Sequence, residues 1–190
     1  MTLVDWQIQW HCGDKSFNPQ WWNLKAIAHK YLIPYPKIPM ISPYNPEQVN
    51  AASYDVLIGA RIKVAMYGKP NDWKEIELDG LPYSLVQGEF ILTETDNFFN
   101  IPRNISAQFA LKSSRGREGY EHLSAGFIDP AWHGSKLTME LFNANPNPIP
   151  IYKGLRIGQI IFTRCDAQPI KAYDQRGRYN NDVTVMESKG

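Results

Sequence analysis

The chain has 190 residues, with 20 Lys and Arg against 19 Asp and Glu, and so a formal net charge of +1. That length suits one domain with a real core, and the near-neutral balance argues against bulk nucleic-acid binding, which needs a polyanion-attracting field. Two distant cysteines, Cys12 and Cys165, offer no CxxC pair, no zinc-ligand spacing and no disulfide framework, a pattern that fits a reducing compartment.

The opening stretch MTLVDWQIQW has neither a basic n-region nor an apolar h-region, so it does not read as a signal peptide. No apolar run approaches the roughly 20 residues of a membrane span. A soluble, cytoplasmic protein with no membrane partner is expected. In WWNLKAIAHKYL the residues Leu24, Ile27, Ala28, Tyr31 and Leu32 fall at helical spacing, which predicts one amphipathic helix. Pro34, Pro36, Pro39, Pro43 and Pro46 then forbid its continuation and make an extended connection.

The remainder reads as short strands. YDVLIGARIKVAMY is rich in β-branched and aromatic residues; EFILTET follows, and ISAQFALK alternates Ile105, Ala107, Phe109 and Leu111 on one side. SKLTMELFN, IPIYKG and RIGQIIFTRC complete the series. Turn formers sit between these runs in GKPND, DGLP, NIPRN and NANPNP. Closely spaced strands with almost no helical periodicity predict a mainly β fold, an antiparallel barrel or jelly roll with one short helical segment.

Three constellations carry chemistry-bearing residues. KSSRGREG, residues 112–119, packs a lysine, two hydroxyls, two arginines and two glycines into eight positions. Such a set suits a polyphosphate, because arginine supplies a rigid donor fork and glycine lets backbone N–H groups approach. It also reads as an ordinary solvated basic turn after a strand. In SKLTMELFN the alternation of side chains puts Thr138, Glu140 and Phe142 on the face opposite Leu137, Met139 and Leu141. If the apolar row faces the core, Glu140 faces water or a cavity; Asp129, before a proline, is either a routine turn former or a second carboxylate of the same site. The C-terminal AYDQRGRYNNDVTVMESKG is either a frayed polar tail or a flap over a ligand, with Tyr173 and Tyr179 packing and Arg178 meeting an anion.

The order of these motifs resembles the dCTP deaminase branch of the trimeric dUTPase superfamily. MISPYNPEQVNAASYDVLIG is similar to the family's Ala-Ser-x-Asp-x-x-x-Gly opening, with Asp55 at the aspartate. FILTETDNFFNIPRNISAQFALKSSRGREG runs into S-S-x-x-R-x-G at Ser113, Ser114, Arg117 and Gly119. SAGFIDPAWHGSKLTMELFN resembles A-x-x-I-D-P-G-[FW]-x-G…L-E-L-x-N, with Asp129, Gly134, Glu140 and Asn143 in place; YKGLRIGQIIF matches the next strand through Gln159, and GRYNND stands where the C-terminal K-Y-x-x-Q belongs. The match covers nearly everything from Met40 onward. Arg178 replaces a lysine, Asp182 a glutamine and Ala131 a turn glycine; the spacing from Arg117 to Asp129 is one shorter than the family's, and that from Gly134 to Glu140 one longer. Residues 14–38 read as an insertion into a single dUTPase-like domain of residues 1–190, closed by a flap at 171–190.

The resemblance implies a distorted antiparallel dUTPase-like barrel, assembled as a homotrimer. It implies deamination of dCTP without zinc, since the H-x-E…P-C-x-x-C ligands are missing from the sequence. Glu140 would be the general acid/base. Ser113 and the Ala125 carbonyl would orient the attacking water, and Arg117 would come from an adjacent subunit and keep Glu140 ionised. Lys112, Ser114, Gly119, Gln159, Tyr173, Arg178 and Tyr179 belong to the substrate site. Asp182 would meet the base, Asp129 the deoxyribose hydroxyl or a water near the α-phosphate, and Mg²⁺ would bridge phosphate oxygens. Gly126 after Ala125 is expected to keep the pocket open and favour members that continue to dUMP and diphosphate, in the supply of dTTP. Hydrolysis of dUTP alone stays an alternative. So does a non-catalytic nucleotide-sensing regulator that docks a partner through Trp21 and Trp22.

Overall fold

The computed structural model describes residues 1–14, 16, 36–68 and 71–190. The amphipathic helix expected within 21–32, and most of the 14–38 insertion, lie outside the described residues. The strands expected from alternation all form. In chain order the elements are α1 (Asp5–His11), β1 (Ile41–Ser42), β2 (Val49–Asn50), β3 (Ser53–Ala65), β4 (Trp73–Glu77), β5 (Tyr83–Leu85), β6 (Phe90–Asn100) and β7 (Ile105–Leu111). There follow α2 (Ser113–Glu118), β8 (Tyr120–Glu121), β9 (Phe127–Ile128), β10 (His133–Asn143), β11 (Ile149–Ile151), β12 (Arg156–Arg164) and α3 (Tyr173–Arg176).

One curled antiparallel sheet runs β8-β10-β6-β3-β12-β7-β9, with β1 paired to β6 and both β2 and β4 paired to β3; β5 and β11 form a separate pair. Inside the curl lie Tyr54, Phe99, Phe109 and Phe162 with the isoleucines of β3 and β6 and with Ile157 and Ile160 of β12, all buried. Burying such side chains is worth about 1.5–3 kcal/mol each and dominates the stability of a β fold of this kind. β3 is the spine, because its 13 residues pair with β12 at one end and with β4 and β6 at the other.

Three features depart from the simplest reading. α1 forms in DWQIQWH, burying Gln7, Ile8 and His11. The basic segment after β7 is a short helix with no buried residue, stopped by Gly119 in the left-handed conformation at φ 98°, where a side chain would be strained. And β10 does not pair with β6 as a plain ladder. His133 faces Asn100 while Ser135 faces Phe99, leaving Gly134 over; Lys136 faces Phe98 while Thr138 faces Glu94. The stretch that is one residue longer than the family spacing is thus bulged. Within the second irregularity the Leu137 amide donates to the Thr95 hydroxyl at 3.0 Å. Leu137 is half-buried and packs against the core that encloses Met139 and Leu141. Ala131, standing for the turn glycine, takes φ 70°.

Candidate active site

Glu140 sits midway along β10, opposite Leu92 of β6. Its side chain opens into a cavity of about 470 Å³. Four walls enclose it. Leu137, Thr138 and Glu140 come from β10, and Trp73, Phe90 and Leu92 from the neighbouring strands. Ala125, Phe127 and Asp129 come from the segment around β9, and Tyr173, Tyr179, Asp182 and 186–188 from the C-terminal segment. The cavity is mostly apolar with a few convergent polar groups, the usual character of a small-molecule site. Burial pushes the Glu140 carboxyl above the ordinary glutamate range, partly offset by a backbone hydrogen bond; removal from water penalises the charged form.

The C-terminal segment is docked on its own chain. Trp132 Nε1 and Ser135 Oγ both donate to the Tyr179 carbonyl at 2.8 Å. The Lys136 amide donates to the Asp182 carbonyl at 2.9 Å, and the Met186 amide to Thr138 Oγ1 at 3.0 Å. Tyr173 is held by its amide on the Pro130 carbonyl. Asp182 faces the cavity as expected, but its carboxylate is gripped by Lys189 Nζ at 2.7 and 2.8 Å. That ammonium also lies 4.9 Å from the Tyr179 ring centre.

Six of the expected residues therefore meet: Ala125, Asp129, Glu140, Tyr173, Tyr179 and Asp182 all line this cavity. The others do not. Ser113, Ser114 and Arg117 are exposed on α2, away from the cavity. Lys112 Nζ and Arg156 Nη1 share the buried Asp55 carboxylate at 2.6 and 2.9 Å. Beside them Ser53 Oγ donates to Gln159 at 2.7 Å. Arg178 is exposed and contributes its carbonyl to Lys189. Gly119 caps α2 and lies against Asn145. Gly126 is not a cavity residue: its carbonyl accepts from the Phe109 amide at 2.8 Å, and a methyl placed there would come within 2.6 Å of the Phe109 carbonyl oxygen. Close strand approach is enough to require glycine at 126.

Two residues that the sequence did not single out shape this arrangement. Arg156 joins Lys112 on Asp55; a basic residue within RIGQIIF gives no signal beyond its charge. Glu94, in the middle of β6, is almost fully buried at 2% exposure, and only its place in the alternating T-E-T run hinted at an inward face. Among the described residues, no three His, Cys, Asp or Glu side chains come together to hold a metal ion, and no helix is long and apolar enough to cross a membrane.

Residues 35–165 match the dCTP deaminase-like family. This chain belongs to the dCTP deaminase-like family. Among its relatives, the dUMP-forming dCTP deaminase of Aquifex aeolicus is 31% identical over 156 residues, covering 78% of this chain and 84% of that protein. A dUMP-forming dCTP deaminase of Nanoarchaeum equitans is 31% identical over 176 residues, covering 79% and 88%. The crystal structure of the 2'-deoxycytidine 5'-triphosphate deaminase of Agrobacterium tumefaciens superposes with a TM-score of 0.53 at 21% identity, over 73% of this chain and 46% of that one. That likeness speaks for the fold. Membership of the dCTP deaminase-like family accounts for the curled sheet and for the order of motifs along it.

Proposed function

We propose that this chain deaminates dCTP to dUTP and ammonia and carries the nucleotide on to dUMP and diphosphate. The observation that carries the reading is the half-buried Glu140, its carboxyl raised by burial, facing a cavity that also presents Asp129. Two relatives named as dUMP-forming dCTP deaminases support it.

In the first step a water adds to C4 of the cytosine. Glu140 takes its proton, delivers one to N3, and then helps to protonate the departing amine, so that water enters and ammonia leaves. Burial raises the Glu140 pKa above that of a free glutamate, which makes its conjugate base a better proton acceptor and suits this double use. The Ala125 carbonyl, on the cavity wall, and Ser113 would orient that water. In the second step water attacks the α-phosphate and diphosphate leaves. Asp129, which lines the same cavity, would orient that nucleophile. Mg²⁺ would be held by the triphosphate oxygens, where it neutralises charge on the leaving diphosphate.

The same reading makes the protein a homotrimer working in the cytoplasm. Glu140 and the Lys112, Ser113, Ser114, Arg117 and Gln159 group do not converge within one chain, so a complete site draws on two copies, with Arg117 of the adjacent subunit beside Glu140. The site accounts for 171–190 as a built-in wall of one domain; Arg178, Tyr173 and Tyr179 would take the phosphates and Asp182 the base. The test is a time course of purified protein with dCTP and Mg²⁺, resolved by chromatography with ammonia measured in parallel. Ammonia with accumulating dUMP is expected. dUTP alone would limit the chain to deamination, and untouched dCTP beside hydrolysed dUTP would overturn it as a deaminase.

A further inference from the structure

Glu94 is a buried carboxylate to which the deamination chemistry gives no role. Four donors from three directions converge on it. Lys136 Nζ donates to Oε1 at 2.8 Å from β10, and the Ala60 amide donates to the same oxygen at 3.3 Å from β3. Thr184 Oγ1 and the Val185 amide donate to Oε2 at 2.9 and 2.8 Å from the C-terminal segment. β3 makes room for the group with a glycine: a methyl at Gly59 would lie 2.7 Å from Glu94 Cγ. Val185, fixed by this contact, is fully buried, and the next three residues form one wall of the cavity that holds Glu140.

The chemistry requires an acid at this position. An ionised carboxylate only accepts, and it has about four lone-pair sites for four donors. A glutamine of the same shape would turn its own NH₂ toward one pair of donors and leave them buried without acceptors. Lys136 supplies the countercharge that makes a buried carboxylate tolerable. One oxygen is committed to the sheet and the other to the tail, so Glu94 is the joint between them. Farther along, Lys63 Nζ meets Glu187 at 2.8 Å and steadies the same wall at its exposed end.

We propose that Glu94 is a positioning residue for substrate binding: through its hydrogen bonds to Thr184 and Val185 it seats residues 186–188 as the cavity wall facing Glu140. The proposal rests on the deaminase reading for its kinetic part and on geometry alone for its structural part, so the two are measured separately. Glu94→Gln, Thr184→Val and the double variant are prepared in the full chain. Hydrogen exchange of the Val185 and Met186 amides is followed without substrate, and KM and kcat are determined with dCTP. In both single variants these two amides should exchange at least about tenfold faster while the β6 and β12 amides keep their protection, as expected of local opening. KM should rise about tenfold, the usual cost of losing a charge-assisted hydrogen bond, with kcat within about threefold because Glu140 stays in place. The double variant should be no worse than Glu94→Gln alone, since both changes cut one connection. Unchanged Val185 protection in either single variant overturns the proposal, and so does a loss of thermal stability with KM unmoved. If Glu94→Gln fails to fold, Thr184→Val decides the matter by itself. A wild-type chain inert toward dCTP would sink the deaminase reading, and the exchange data would then decide the seating of the tail.

Discussion

Glu140 and Asp55 are both carboxylates on long strands of the same sheet, yet their surroundings are opposites. Glu140 looks into a cavity with mostly apolar walls and makes no ion pair among the described residues, so burial raises its pKa. Asp55 is more deeply buried and carries two cations, Lys112 and Arg156, on its two oxygens. The first region gathers carboxylates among aromatic and apolar walls; the second gathers cations around an acid that is already paired. Each half contains what the other lacks, and that complementarity is the reason to place the working site between copies of the chain.

The largest effect is expected when each half is inactivated and the two are recombined. Glu140→Gln should lose about 10²–10⁴-fold in turnover while retaining dCTP binding, since the shape is kept and the base is gone. Arg117→Ala should be impaired in both. Denatured together and refolded as mixed trimers, the two variants should recover activity at about a quarter of the sites, those pairing an intact Glu140 with an intact neighbouring Arg117. No recovery would place both groups in one chain's site.

A second test uses pH. Burial pushes the Glu140 carboxyl up, whereas an arginine beside it would pull it down. In Arg117→Ala the acid limb of kcat/KM should therefore move upward by about one pH unit; an unmoved limb would mean that the two never meet. The same shift has a stability consequence with a definite sign. A carboxyl whose pKa is higher in the folded than in the unfolded chain costs stability above that pKa, and the cost disappears as pH falls through it. On the Arg117→Ala background, where that arginine is gone, adding Glu140→Gln should thus raise the melting temperature at neutral pH, with the gain fading on acidification.

The smallest effect is expected at the base-reading end. Asp182 is an acceptor held by Lys189, which suits the exocyclic amine of cytosine better than the O4 of uracil. Asp182→Gln adds a donor. It should reduce the preference for dCTP over dUTP by about three- to tenfold, the scale of one hydrogen bond; an unchanged preference would remove Asp182 from base recognition.

Much of this comparison was legible in the sequence, and the limits have physical causes. Strands with one buried face announce themselves by alternation, as Ile105, Ala107 and Phe109 did, and all three are buried. Alternation was blurred at Leu137, which packs against the core but is only half-buried where the pairing with β6 is irregular. α1 went unseen because a seven-residue helix of mixed polarity carries too little apolar stripe to register, and α2 because it buries nothing. The motif residues could be named as a set, but their order along the chain says nothing about which of them converge within one subunit. Glu94 was invisible as a site because its importance comes from Thr184 and Val185, about ninety positions away. At Gly126 the sequence pointed to pocket room, while the contact visible in the structure is the close approach of β7.

Strand β3 has a further role beyond pairing. It bears Asp55, which fixes the cationic half, and five residues later the Ala60 amide that meets Glu94, which fixes the tail-walled half. At about 3.3 Å per residue those points are roughly 17 Å apart, along a single stretch of hydrogen-bonded backbone. It works as a gauge block: the dimension between the two halves is cut into one piece and not assembled from several movable ones. Loops elsewhere can change length without altering that dimension, whereas losing one residue of 56–58 would turn one of the two fixing points to the wrong side of the sheet. The calibrated part of the molecule is thus a strand that lines no part of the Glu140 cavity.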